Sequence, residues 1–324
     1  MKEEPLLLLS DRKKDSNQVA LIDYIIIIQG GIFMKIAYII LDPMMETRKH
    51  RAGGAIYCLD AYLQKRNPYI EEIQRKIFNF NSLFTGNINI NISSVMHYLP
   101  DVIAFSTYCW NIEIVKNMAR SMKRLRPEVM IILGGPEASY YTKDFLNDNK
   151  YFDILISGQG ENKFNKIIKK IFEQEKDNFE DIPGITYRDL NNNIVVNQES
   201  EEKVDINDFP SPILEETVNL EGSDGEVPFE SLRGCKFKCS YCLYTKGLDG
   251  MSYFSMDRVE QELKKVLTND NINMLWFIDP TFNADELRAI EILKIIEKYN
   301  PRMPLAFELR ADLLTDQLIN QMEK

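Results

Sequence analysis

Short apolar runs that alternate with longer amphipathic stretches constrain this chain more than any other feature. From Met34 onward, strand-like runs at 35–41, 101–106, 129–133 and 152–156 alternate with stretches of helical periodicity, clearest at 55–65, 112–125 and 162–174. That alternation is the pattern of a parallel sheet covered by helices. Ligands of such sheets sit beyond the carboxyl ends of the strands. Glycines stand at those ends here: Gly134-Gly135 after the third run, and Gly158-Gln159-Gly160-Glu161 after the fourth. They either admit a ligand close to the backbone or simply turn the chain tightly. Neither group matches G-x-G-x-x-G, so a dinucleotide-binding dehydrogenase is poorly supported.

Composition narrows the class. The chain has 324 residues, 44% hydrophobic and 27% charged, a globular balance with room for two domains. Its formal charge of −10 disfavours non-specific nucleic-acid binding. No apolar stretch is long enough for a membrane span. The best candidate, 20–28, is short and contains Asp23, and no small-residue cleavage site follows it. Met34 reads as the natural start of the first domain, so residues 1–33 are expected to be upstream sequence from a misplaced start or a disordered leader.

The five cysteines are Cys58, Cys109, Cys235, Cys239 and Cys242, an odd count that suits no disulfide framework. The last three have the spacing Cys-x3-Cys-x2-Cys, which lets three thiolates converge from one loop. Thiolates are the preferred ligands of iron–sulfur clusters, and three of them on a four-iron cluster leave one iron open. Spacing alone also admits a zinc site, although zinc wants a fourth ligand and none has a fitting spacing. A chance grouping of structural cysteines is the third alternative.

The flanks carry a resemblance. Arg233-Gly234 before Cys235 and Tyr241 before Cys242 resemble the cluster motif of the radical S-adenosylmethionine (SAM) superfamily. The segments PDVIAFSTYCWN, LGGPEAS, YFDILISGQGENKF and IPGITYRD resemble the cobalamin (B12)-binding-type domain that precedes the radical domain in one subgroup. The resemblance implies an α/β fold, with an N-terminal Rossmann-like B12-binding-type domain at 34–195, a linker at 196–229 and a radical SAM β/α barrel opening at 230–324. It implies a [4Fe–4S] cluster on Cys235, Cys239 and Cys242, and reductive cleavage of SAM to a 5'-deoxyadenosyl radical. Tyr241 would pack on the adenine. Asp279, in FIDPTFN, would contact the methionyl amine, and Glu308 and Arg310 would meet the ribose and carboxylate, with a salt bridge inside the barrel as their plain alternative. Ser106, Thr107, Gly134, Gly135, Gly158, Gly160 and Glu161 would form the corrinoid rim.

One departure concerns the corrinoid. The Asp-x-His-x-x-Gly sequence that supplies a ligating histidine in many cobalamin domains is missing, and the two histidines, His50 and His97, lie outside such a motif. Either the corrinoid binds without a histidine ligand or the domain has lost it. The stretch after Glu230 holds three apparent β/α units, half of a full radical barrel, so the sequence is expected to be a fragment with exposed sheet edges. The resemblance implies methyl transfer or a rearrangement on a small-molecule or peptide substrate. It further implies an electron donor such as flavodoxin or ferredoxin, a reducing cytoplasm, and no membrane or nucleic-acid partner. A non-catalytic scaffold derived from such an enzyme, or a zinc-stabilised module, is the alternative.

Overall fold

The computed structural model describes residues 33–42, 54–81, 88–176, 178–200, 204–218, 220, 225–244 and 250–324. The expected leader and His50 fall almost wholly outside them. Among the described residues, no helix is long and apolar enough to cross a membrane.

The first sheet has seven strands in the order β2-β1-β3-β4-β5-β6-β7. These are β1 (Met34–Asp42), β2 (Ile73–Asn81), β3 (Val102–Ser106), β4 (Met130–Gly134), β5 (Ile154–Ile156), β6 (Ile185–Arg188) and β7 (Ile194–Val196). The first five pair in parallel, as the alternation predicts, while β6 and β7 add antiparallel strands at one edge. The opposite edge strand, β2, is missing from the sequence reading. Its run Ile-Gln-Arg-Lys-Ile carries too much charge to pass for a buried strand, and an edge position tolerates that charge.

Helices cover both faces. Along β1, Met34, Ile36, Tyr38 and Ile40 enter one core, and Ala37, Ile39 and Leu41 the other, as the two-residue strand period requires. The first core takes α1 (Gly54–Arg66) and the apolar stripe of Phe164, Ile167, Ile168 and Ile171; the second takes α2 (Ile88–His97) and α3 (Ile112–Leu125). Two short helices, α4 (Pro136–Ser139) and α5 (Thr142–Asp148), follow β4, and α6 (Glu161–Phe172) follows β5.

A smaller parallel sheet follows, ordered β12-β11-β8, from β8 (Glu226–Phe229), β11 (Met274–Phe277) and β12 (Leu305–Ala306). An antiparallel pair, β9 (Leu232–Gly234) and β10 (Met251–Tyr253), stands beside it. Helices α7 (Met256–Leu267), α8 (Glu286–Tyr299) and α9 (Asp316–Met322) complete the β/α units. Ser255 caps α7 by accepting from the Arg258 N–H, as its position before the helical run predicts. Among the described residues this is an open three-stranded sheet, not a closed barrel.

The third strand of this sheet, β12, is only two residues long. It stops at Ala306 because the next backbone groups find other partners. The Glu308 carbonyl accepts from Phe282 N–H (2.9 Å), and the Asn283 side chain brackets Arg310, donating to its carbonyl (2.8 Å) and accepting from its N–H (2.9 Å).

Gly135, just past β4, has φ +99, and a Cβ there would lie 2.5 Å from the Thr107 carbonyl oxygen. Gly135→Ala combines a left-handed backbone with a clash against main chain, which has little room to yield. It is expected to cost about 2–4 kcal/mol, read as a lower urea midpoint by circular dichroism.

Candidate functional site

The carboxyl ends of β3, β4 and β5 open onto a cavity of about 630 Å³. Its walls come from both sheets: Ser106, Gly134, Gly135, Gly158, Gly160 and Glu161 on one side, and Glu230, Arg233, Leu243 and Tyr244 on the other. Ile56, Ile132, Ile156, Ile213 and Val218 make much of the remaining surface apolar. Into it face Ser106 and Gln159, whose Oγ and Oε1 atoms are buried without a protein partner. Buried polar atoms in that state await a ligand or water. An apolar cavity with a few unpaired polar atoms and a glycine-lined wall fits a large, mostly carbon ring system with polar edges, so the residues present suit a corrinoid.

Six of the seven predicted rim residues line this cavity. Thr107 does not, and that expectation is corrected. Its side chain is fully buried and donates to the Gly134 carbonyl (2.7 Å), beside its own N–H on the same oxygen (2.8 Å). It shapes the rim from beneath. His97 ends α2 away from the cavity, in a shallow groove with Arg124 and Ser93.

The cysteine loop springs from β9. Gly234 has φ +88 and packs so closely on Gly250 that no side chain would fit. Cys235, Cys239 and Cys242 follow as half-buried free thiols. The loop turns on the Cys242 N–H to Cys239 carbonyl bond (3.1 Å), and Cys235 Sγ lies 3.7 Å from Thr281 Oγ1. Tyr140, just past α4, donates to the Leu243 carbonyl (3.1 Å), so the loop is also tied to the first sheet's side of the cavity. Among the described residues, no three Cys, His, Asp or Glu side chains converge as the ligands of a single metal ion would. A cubane binds each thiolate at a different iron, so its donors need not converge on one point. Three thiols on one loop suit that donor set.

Around the loop, the predicted SAM-facing residues divide. Tyr241 stands 87% exposed on it. The Arg310 guanidinium lies 4.1 Å from the centre of the Phe237 ring, with Cys239 and Tyr241 among its charge neighbours, and is paired with Asp312 (2.8 Å) rather than Glu308. Glu308 is exposed beyond the end of β12, and it forms no salt bridge with Arg310.

Asp279 departs furthest from expectation. It is fully buried, and its carboxylate accepts from Ser231 N–H (2.7 Å), Ser231 Oγ–H (2.5 Å) and Leu232 N–H (3.1 Å). From the other side Arg288 donates to the carbonyls of Ser231 (3.0 Å) and Phe254 (2.8 Å). Both groups grip the chain entering β9. Asp279 therefore holds the strand that presents the cysteines and has no free oxygen to reach a methionyl amine.

The chain is similar to known proteins over part of its length. The B12 binding domain family model matches residues 92–168. The cobalamin-dependent radical SAM methyltransferase TokK of Streptomyces tokunonensis is 26% identical over 196 residues, 56% of this chain and 28% of that protein. Hopanoid C-3 methylase of Methylococcus capsulatus is 22% identical over 294 residues, 87% of this chain and 50% of that protein. The solved structure of the cobalamin-dependent S-adenosylmethionine radical enzyme OxsB with aqua-cobalamin bound shares the fold, with a TM-score of 0.67 at 17% identity over 90% of this chain and 42% of that one. The chain is thus similar, over part of its length, to cobalamin-dependent radical SAM enzymes, and its residues 92–168 match the B12 binding domain. It spans half or less of the length of these relatives.

Sequence reasoning missed how the two walls of this cavity are joined. Arg233 was legible only as a flank of Cys235, and Glu161 only as a rim residue. They meet across 72 positions as a buried ion pair (2.6 Å), with Glu230 on the same guanidinium (3.0 Å). Cys58 Sγ accepts from it at 3.7 Å, and burial pushes that thiol up to about 12.

At Asp279, burial outweighs the donors that pull the other way and pushes the carboxyl up to about 6. The folded group holds its proton more tightly than the unfolded one at about 3.8, so its contribution to stability is complete below 3.8 and is lost as pH rises through about 6. Wild-type unfolding free energy should fall by up to about 3 kcal/mol over that window, a slope that Asp279→Asn removes in urea titrations at successive pH values.

Proposed function

We propose that this chain acts as a cobalamin-dependent radical SAM enzyme and that methyl transfer is its reaction class. The observation that carries the reading is one cavity with the glycine-lined rim on one wall and the residues that flank the three cysteines, Arg233, Leu243 and Tyr244, on the other. The relatives named above support methyl transfer, since TokK is a methyltransferase and the hopanoid protein a methylase.

In this reading Cys235, Cys239 and Cys242 hold a [4Fe–4S] cluster, and the cavity holds the corrinoid. When bound, these groups supply reductive cleavage of SAM to a 5'-deoxyadenosyl radical and a carrier for the methyl group. The protein's part is placement. Asp279 and Arg288 fix β9, so the first cysteine leaves a rigid strand. Tyr241 offers an exposed ring for the adenine. Arg310 can take the SAM carboxylate in bidentate fashion by exchanging it for Asp312. Ser106 and Gln159 offer their unpaired oxygens to polar groups on the corrinoid edge, and the apolar walls exclude water. The substrate is a small molecule or peptide that reaches the open side of the cavity. Electrons come from a low-potential donor such as flavodoxin or ferredoxin, in a reducing cytoplasm.

The test is anaerobic reconstitution of the full chain with iron and sulfide, followed by dithionite reduction and electron paramagnetic resonance. Wild type should bind about four irons and give a cluster signal that changes shape when SAM is added. Replacing all three cysteines with alanine should abolish both, and added hydroxocobalamin should stay with wild type through desalting. Zinc in place of iron in the wild-type protein would overturn the reading.

A further inference from the structure

We propose that Arg233 is a positioning residue that couples the corrinoid cavity to the cluster loop. The inference rests on the functional reading above and adds a link between its two sites.

Arg233 lies on β9, two residues ahead of Cys235. Its guanidinium serves carboxylates from both parts of the chain. One terminal nitrogen donates to Glu161 at 2.6 Å, and Nε reaches both oxygens of Glu230 at 3.0 Å. The Arg233 and Glu161 side chains are only 12% and 6% exposed. Glu161 opens α6 directly after Gly158 and Gly160, so it is part of the rim. The same cation lies 5.4 Å from the Phe209 ring of the connecting segment and 5.7 Å from that of Phe254, and contacts Cys58 of α1. Four segments of the chain therefore meet on one planar group.

A buried ion pair adds little net stability, because desolvation consumes most of its attraction. A guanidinium instead imposes direction, since its donors form a rigid fork that fixes the angle between two carboxylates. A ligand that settles on the rim and moves Glu161 turns that fork and carries Cys235 with it. By reciprocity, a cluster that fixes Cys235 presets Glu161 and the rim for the corrinoid.

The test uses the full chain, reconstituted anaerobically, as wild type, Glu161→Gln, Arg233→Lys and the double variant. Hydroxocobalamin is titrated by visible absorbance with and without the cluster, and the reduced cluster's paramagnetic spectrum is recorded with and without the corrinoid. Wild type should bind hydroxocobalamin about 5- to 10-fold more tightly when the cluster is present, with a change in the cluster line shape. Each single variant should lose both effects while keeping its iron and its cluster signal, and the double variant should lose no more. Glu230 still neutralises Arg233 in Glu161→Gln, and Lys keeps the charge in Arg233→Lys, so thermal melts should show both folded. Coupling that survives in both single variants, or is absent from a wild type that binds both cofactors, overturns the proposal. A wild type that takes up no cluster or no corrinoid overturns the functional reading, and this inference with it.

Discussion

One continuous hydrophobic core joins the two sheets, and the geometry of the site depends on it. It runs from Tyr38 and Ile40 of β1 through Phe164 of α6 to Phe229 of β8, Phe254, and Phe277 of β11. Burying each such side chain contributes about 1.5–3 kcal/mol. Among the described residues, no polar contact between the two parts matches that total, and the Arg233–Glu161 pair is close to break-even. Apolar burial therefore holds the parts together, and the directional groups decide how they face. With that division the carboxyl ends of both sheets open onto the same cavity.

Much of this architecture is legible in the sequence because its periodicities are strong. The parallel strands of the first sheet and their helices follow from apolar runs at regular spacing, and the cysteine loop follows from three residues within eight positions. What escapes is what depends on tertiary context. Strand β2 is an edge, so its charges mask it. Strand β12 is cut short by Asn283, whose side chain supplies two backbone-like hydrogen bonds that no local pattern announces.

The site is legible by the same rule. Residue types chosen by chemistry, the thiols and the rim glycines, are found by spacing. Residues whose role depends on which way they point are not. Thr107 and Asp279 both lie beside the predicted surfaces, yet both turn inward because a backbone group waits there. The Arg233–Glu161 contact spans 72 positions and leaves no trace in either local pattern.

The desolvated thiol of Cys58 has a further consequence for metal loading. It lies against the same arginine that precedes the cysteine loop. Iron takes sulfur as thiolate, and at about 12 this sulfur keeps its proton in neutral solution. Burial thus sets Cys58 apart from the half-buried thiols of the loop, because a sulfur held away from water resists losing its proton. By withholding water, the fold keeps this one sulfur a thiol.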